Sequence, residues 1–290
     1  RDGGLPRATT TKTRGAACGS SSPLPRPRWH IISFGGSGED CQPSRGKASR
    51  MAVYQDKAVE RIKAGLRRYA PIIEKQTKAN ANEADTRTIV NGVLGELLGW
   101  DMFEQVTGEY RIRGNYADYV ILNENGQPWA VVEVKSITTR LNPKHLYQAS
   151  GYAANEGIDW MILTNGDEWV LYRVIYNKPV VQDEVFRVRV TDPDKKPAEK
   201  AKLFYLLSRE APRKNELEEF YTRKVALCGS NVAKAILSAP VLRALRTEMR
   251  RATGHLVSGE DLAEVLVNDV LRPEVQDFDV PRLIRKATAP

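Results

Sequence analysis

Two carboxylates and a lysine, Asp118, Glu133 and Lys135, are the residues of this chain whose types and spacing best suit chemistry. Carboxylates brought face to face repel each other, and a divalent cation between them relieves that repulsion. Mg2+ typically takes one or two carboxylates and fills its remaining places with water and phosphate oxygens. A lysine at the same place can hold an attacking water or stabilise charge that builds on a phosphate. The set points to metal-dependent cleavage of phosphodiester bonds.

The elements that must bring these residues together are legible around them. Asp118 lies in Ala117-Asp118-Tyr119-Val120-Ile121-Leu122, and Glu133 and Lys135 lie in Trp129-Ala130-Val131-Val132-Glu133-Val134-Lys135-Ser136. Both runs are rich in β-branched and aromatic residues, which favours strands. Asn125-Gly126 between them predicts a two-residue hairpin turn with positive φ at both positions. A turn centred there pairs residues whose numbers sum to 251, so Asp118 faces Glu133. Alternation along the strand puts Lys135 on the face of Glu133. Facing carboxylates destabilise a sheet, so a chain needing only a strand pair gains nothing from them. The plainer alternative is a half-exposed hairpin with surface charges, since Glu-x-Lys occurs often by chance. Pro193-Asp194-Lys195-Lys196 fits the same letters, but no apolar run precedes it and it reads as a solvated loop.

Five pieces of the chain resemble the N-terminal nuclease domain of type I restriction enzyme R subunits, within the PD-(D/E)xK nuclease superfamily. They are Glu83-Ala84-Asp85-Thr86-Arg87, Leu97-Leu98-Gly99-Trp100-Asp101, Ala117-Asp118-Tyr119-Val120-Ile121, Val132-Glu133-Val134-Lys135 and Gln148-Ala149-Ser150-Gly151-Tyr152. Their span, residues 83–174 with the strand that follows them, is roughly a third of the chain. The resemblance implies Asp118 and Glu133 as Mg2+ ligands, with the Val134 carbonyl as an extra one, and Lys135 as the catalytic lysine. It implies Gln148 and Tyr152, a Q-x-x-x-Y pair, as supporting, DNA-proximal residues. Ala117 replaces the usual proline before the first aspartate, a variation common in the superfamily. R subunits continue into an ATP-driven translocase, but this chain has no G-x-x-x-x-G-K-[ST]; Gly46-Lys47-Ala48 lacks both the first glycine and the hydroxyl. No ATP site is expected, and the chain resembles a standalone form of the nuclease domain.

A helix carboxylate often completes such a site, and Glu83 and Glu96 are the candidates. At about 100° per residue Glu83 falls about 20° from Val90, on the stripe with Leu94 and Leu97, whereas Glu96 lies about 120° away, towards solvent. Glu83 is therefore preferred, although a first-turn carboxylate after an Asn82 cap also suits a helix for its own sake. Gln148 and Tyr152 share a helix face at this spacing, as a routine amphipathic pair would. Lys144 and His145 open the same helix after Pro143 and could reach phosphate or simply be solvated.

Composition narrows the classes. The 290 residues carry a net charge of +8, but residues 1–50 hold nine basic and three acidic residues, leaving 35 basic and 33 acidic in the remainder. The excess is a property of that segment, so affinity for DNA must come from local patches. No apolar run reaches the ~20 residues of a membrane span. Cys18, Cys41 and Cys228 have no C-x-x-C spacing and His30, His145 and His255 are scattered, which argues against a zinc site or a disulfide framework and for a reducing cytoplasm. There is no G-x-S-x-G nucleophile elbow.

The expected domains are 1–50, 51–190 and 191–290. The first, rich in Gly, Ser, Pro, Thr and Arg, reads as a disordered basic extension, with Met51 a plausible natural start. The second reads as an α/β restriction-endonuclease-like core, a mixed central sheet flanked by helices. Its helices are predicted over 53–78, with Pro71 kinking or splitting the first, then 83–98 up to Gly99, and 143–156. Its strands are predicted over 104–112, 116–122, 129–136, 159–163, 168–175 and 184–190. The third domain is all-α, with helices over 198–208, 214–227, 231–237, 241–253 and 259–271. There Arg243, Arg246 and Arg250 share a side that could track a phosphate backbone or be a solvated face.

The first reading is a Mg2+-dependent DNA endonuclease of a restriction or DNA-processing system, with Mn2+ able to substitute. Its partner is DNA, and by analogy restriction-modification subunits; one site per chain implies a homodimer or sequential nicking for double-strand cleavage. The alternative is a catalytically silent DNA-binding or assembly subunit that keeps the fold.

Overall fold

The computed structural model describes residues 45–112, 115–177, 179–276 and 278–288. Helix α1 runs Arg45–Lys78 and buries Ile62, Leu66, Tyr69 and Ile73 at helical spacing. It starts upstream of the predicted position and of Met51, where Lys47, Ala48, Arg50 and Met51 are good helix formers. Pro71 does not split it. The part of the expected extension before Arg45 lies outside the described residues.

Asn82 caps α2 (Glu83–Gly92) by accepting from the Asp85 N–H. The winding then widens into a π turn over Val93–Leu97, marked by the Leu98 N–H to Val93 carbonyl bond of 2.9 Å. Gly99 ends it at φ +79, where a Cβ would meet the Arg61 guanidinium. That guanidinium donates to the helix-end carbonyls of Leu97 and Leu98 and is held by both oxygens of Glu210.

Six strands follow in one sheet, in the order β1 (Val106–Ile112), β2 (Asn115–Leu122), β3 (Pro128–Val134), β4 (Trp160–Thr164), β5 (Glu168–Ile175) and β6 (Val181–Arg189). Neighbouring strands are antiparallel except β3 and β4, which run parallel. The parallel pair requires a crossover, supplied by a 3-10 turn, Pro143–Leu146, and α3 (Tyr147–Glu156). Helix, three antiparallel strands, helix and strand is the predicted order, and the structure makes that last strand parallel to β3.

The pleat divides the apolar side chains between two cores. Tyr119, Ile121, Val132 and Ile162 join α1 and α2 in the first core; Val120, Val131, Met161 and Leu163 join α3 in the second. Every residue of β4 is buried, as expected for a strand covered on both faces.

The α/β unit also extends past the predicted boundary near 190. Helix α4 (Pro197–Tyr205) and the start of α5 (Glu216–Ala226) supply Phe204, Leu207 and Leu217 to the first core, and the compact unit ends at Thr222. Apolar burial against the sheet outweighed the change in composition.

The described residues from Arg223 on form a second, helical unit with α6 (Gly229–Ile236), α7 (Ala239–Thr253), α8 (Gly259–Val265) and α9 (Val280–Thr288). Leu237, Leu242, Leu262 and Ala263 make its small core. Ser258 caps α8 through the Asp261 N–H. Helix α9 was not predicted; its Leu283, Ile284 and Ala287 lie against that core. Among the described residues no helix is long and apolar enough to cross a membrane.

Candidate active site

The β2–β3 hairpin sets the site. Tyr119–Val132, Val120–Val131 and Ile121–Ala130 are paired, the predicted register. The turn differs from expectation. Gly126 takes φ +71 but Asn125 is not left-handed. The Gly126 N–H donates to the Asn123 carbonyl, and Asn123 Oδ1 accepts from the amides of Asn125 and Gln127. A two-residue turn is thus replaced by a longer one, and a bulge between Ile121 and Leu122 compensates for the shift. The two departures cancel before the strands reach the acidic residues.

Asp118 and Glu133 follow directly on the last paired residues, Tyr119 and Val132, so continuing the same register sets them opposite each other. Asp118 sits where its side chain continues the ladder: the Val134 N–H donates to Asp118 Oδ2 at 2.7 Å. On its other side β3 stays tied to β4 by the Lys135 N–H to Thr164 carbonyl bond. Lys135 Nζ lies 2.5 Å from Glu133 Oε1. The side chains of Asp118, Glu133 and Lys135 are 11%, 15% and 24% exposed, so the group is recessed but reachable.

The first turn of α2 brings up the remaining charges. Arg87 Nη2 donates to Asp118 Oδ1 and, at 3.0 Å, to Glu83 Oε1. Burial pushes the Glu133 carboxyl above the ordinary carboxylate range; the charges of Asp118 and Glu83 push the same way, against the lowering effect of Lys135. Three carboxylates therefore act on one another here, with Arg87 and Lys135 as the counter-charges. All donors offered are hard oxygens, which suits Mg2+ or Mn2+. Among the described residues no three His, Cys, Asp or Glu side chains close into a metal cage. Two carboxylates with the Val134 carbonyl, water and phosphate oxygens are a normal complement for Mg2+, so the residues fit the ion.

The other predicted residues are placed as follows. Glu83 joins the cluster, whereas Glu96 is bound to Tyr69 and Arg68 on α1. Lys144 is exposed. The His145 imidazole is held below its usual pKa by burial and then by the Lys135 charge, which places it near the site. Gln148 lies on α3, but its side chain is outside the described residues. Tyr152 is buried in the second core at 2% exposure. There its ring packs α3 onto the sheet, a supporting place and not a surface one. Lys195 is in a bend near Asp192, consistent with a loop. In the helical unit Arg246 donates to the Val257 carbonyl, while Arg243 and Arg250 are exposed. Arg87 was missed as a site residue, although a glutamate four residues before an arginine on one helix is a readable pairing signal.

A cavity of about 440 Å3 lies elsewhere, around Trp100, Trp129, Trp160, Arg209 and Arg213. Its arginines are already paired with Glu210 and Glu124, and its Asp159 and Glu218 with Arg173, so it has no unspent charge for a phosphate. Chemistry, not cavity size, marks the site.

Comparison with curated proteins found no match. Among solved structures, the chain is similar to the type IIG restriction endonuclease BpuSI at 15% identity and TM-score 0.33, over 72% of this chain and 29% of that one. It is also similar to DrdV, solved in complex with DNA, at 17% identity and TM-score 0.30, over 73% of this chain and 17% of that one. The chain thus spans less than a third of the length of either protein. Residues 102–183, which carry Asp118, Glu133 and Lys135, match the family model of the type I restriction enzyme R protein N terminus.

Proposed function

We propose that the chain is a metal-dependent endodeoxyribonuclease of a restriction system, using Mg2+ or Mn2+. The observation that carries this reading is the convergence of Asp118, Glu133 and Lys135 at one end of the β2–β3 hairpin, inside a segment similar to an R protein N terminus. Glu133, whose carboxyl is pushed upward by burial and by the charges of Asp118 and Glu83, is costly to keep there unless a cation is its ligand.

Asp118, Glu133 and the Val134 carbonyl would hold the ion. When bound, Mg2+ supplies electrophilic stabilisation of charge on the scissile phosphate. The chain's own residues do the rest. Asp118 is fixed for its part by the Val134 N–H, which restricts its carboxylate to one orientation. Glu133 orients Lys135 through their ion pair. The Lys135 ammonium holds the attacking water beside phosphorus and lends positive charge to the phosphate oxygens as negative charge builds there. Glu83 contributes through the shared Arg87 contact. Duplex DNA is the proposed partner, as are other restriction-modification subunits.

A plasmid nicking assay with the full chain in Mg2+, Mn2+ or EDTA, beside Lys135→Ala, tests the reading. Metal-dependent nicking that disappears in the variant is the expected result. Equal nicking by both proteins would overturn the role of this site in cleavage, and none by either in any metal would overturn the reading and leave a DNA-binding subunit without catalysis.

A further inference from the structure

Among the described residues, Arg87 is the arginine with a buried side-chain nitrogen that has no hydrogen-bond partner, and its pairing differs from that of Arg61, Arg187 and Arg189. Arg61 uses Nε, Nη1 and Nη2 together, on Glu210 and on two helix-end carbonyls. Arg189 sets Nε and Nη2 on Asp167, and Arg187 uses all three nitrogens on Glu184 and Glu168. These are fork geometries, in which the planar guanidinium is fixed by several bonds. Arg87 makes both of its ion-pair contacts through Nη2 alone, and its Nε is buried with no hydrogen-bond partner. A buried N–H left unpaired is a cost that an arginine present only for stability would not carry. The two carboxylates it touches are those of the site, one from α2 and one from β2.

Resting on the nuclease reading above, we propose that Arg87 is a positioning residue that stands in for the divalent cation. Its guanidinium bridges Glu83 and Asp118 and keeps the carboxylates together before the ion arrives. The ion and Arg87 compete for Asp118, because the other oxygen of Asp118 is already given to the Val134 amide. Binding of the ion therefore releases Asp118 from Arg87 and leaves the arginine on Glu83, with its charge free for the anionic DNA backbone. Arg87 tunes the site against filling without DNA.

The test is Mn2+ binding to the full chain without DNA, followed by electron paramagnetic resonance, for wild type, Arg87→Gln, Arg87→Lys and Glu133→Gln. Arg87→Gln should bind Mn2+ several-fold to roughly tenfold more tightly, as expected when a charge-assisted competitor is removed. Arg87→Lys, which keeps the charge, should stay near wild type. Arg87→Gln should melt at a lower temperature in EDTA and recover most of the deficit in saturating Mn2+, a rescue that a purely structural arginine would not give. Unchanged or weaker Mn2+ affinity in Arg87→Gln would overturn the proposal. If Arg87→Gln does not fold, the Arg87 Nε–H resonance of 15N-labelled wild type, assigned by its loss in Arg87→Lys, decides instead. It must shift on Mg2+ titration; no shift at saturation sinks the idea. Metal binding that is lost in Glu133→Gln, with affinity not raised by Arg87→Gln, removes the role of Arg87 and leaves the nuclease reading standing. No metal binding by wild type, together with no nicking, removes both.

Discussion

Two recessed aspartates, Asp167 and Asp118, are treated in opposite ways. Asp167, in the turn between β4 and β5, is 9% exposed and serves one arginine, Arg189, through Nε and Nη2. It also accepts from the Thr191 N–H and hydroxyl, so its oxygens are fully used. Among the described residues no second carboxylate bonds to that arginine. Asp118 is similarly recessed, but it shares Arg87 with Glu83, faces Glu133, and leaves the Arg87 Nε without a partner. The closed cluster holds the chain between β5 and α4 in place. The open one carries unspent negative charge, which is what a binding site for a cation requires. Burial alone does not distinguish function from stability; what distinguishes them is whether every donor and acceptor in the cluster has been satisfied.

That contrast can be broken from either side. Lys135→Ala should lower metal-dependent nicking by about 100- to 1,000-fold, the scale of losing one group that stabilises developing charge, with a urea unfolding curve close to wild type. Asp167→Ala should do the reverse. It leaves the Thr191 amide and Arg189 without their acceptor and should cost ~1–3 kcal/mol of stability, read by urea unfolding, while nicking per folded molecule stays unchanged. Glu133→Gln removes one of two facing charges and should raise the stability of the metal-free protein by roughly 0.5–1 kcal/mol, with cleavage lost. A melting temperature in EDTA lower than wild type would contradict the idea that Glu133 is held there at a cost.

The smallest effect concerns pH. Burial pushes the Glu210 carboxyl up, but the hydrogen bonds and charge of Arg61 outweigh it, and the net shift is downward. A carboxyl lowered on folding contributes stability above its ordinary value near 4.5 and loses it as pH falls below that. Glu210→Gln should therefore flatten the stability profile below about pH 4.5 by at most about 1 kcal/mol, the scale of a partly exposed pair. An unchanged profile would place Glu210 outside the closed class.

Much of this was legible in the sequence where the pattern has period two. Alternation in residues 117–122 and 129–136 gave the strands and their register as far as Tyr119–Val132, the pair next to Asp118 and Glu133. The turn was not legible in detail, because Asn-Gly suits both a two-residue turn and a longer one ending in a left-handed glycine, and a compensating bulge has no local signature. Arg87 was overlooked because its contact with Asp118 joins a helix to a strand 31 residues later, which periodicity along one element does not report. Tyr152 has the spacing of a site residue and the surroundings of a core one. The placement of Phe204 and Leu217 on the sheet depends on tertiary packing that outweighs a compositional boundary.

The bond from the Val134 amide to Asp118 Oδ2 has a use of its own. A strand amide is normally shielded from solvent deuterium by a neighbouring backbone carbonyl, and it exchanges only when the sheet opens. This one is shielded by a side chain that is also expected to take up the ion. Its rate of deuterium uptake therefore reports the state of Asp118 rather than the state of the sheet, and the chain carries an isotopic gauge of its own site at a backbone position that no label need disturb.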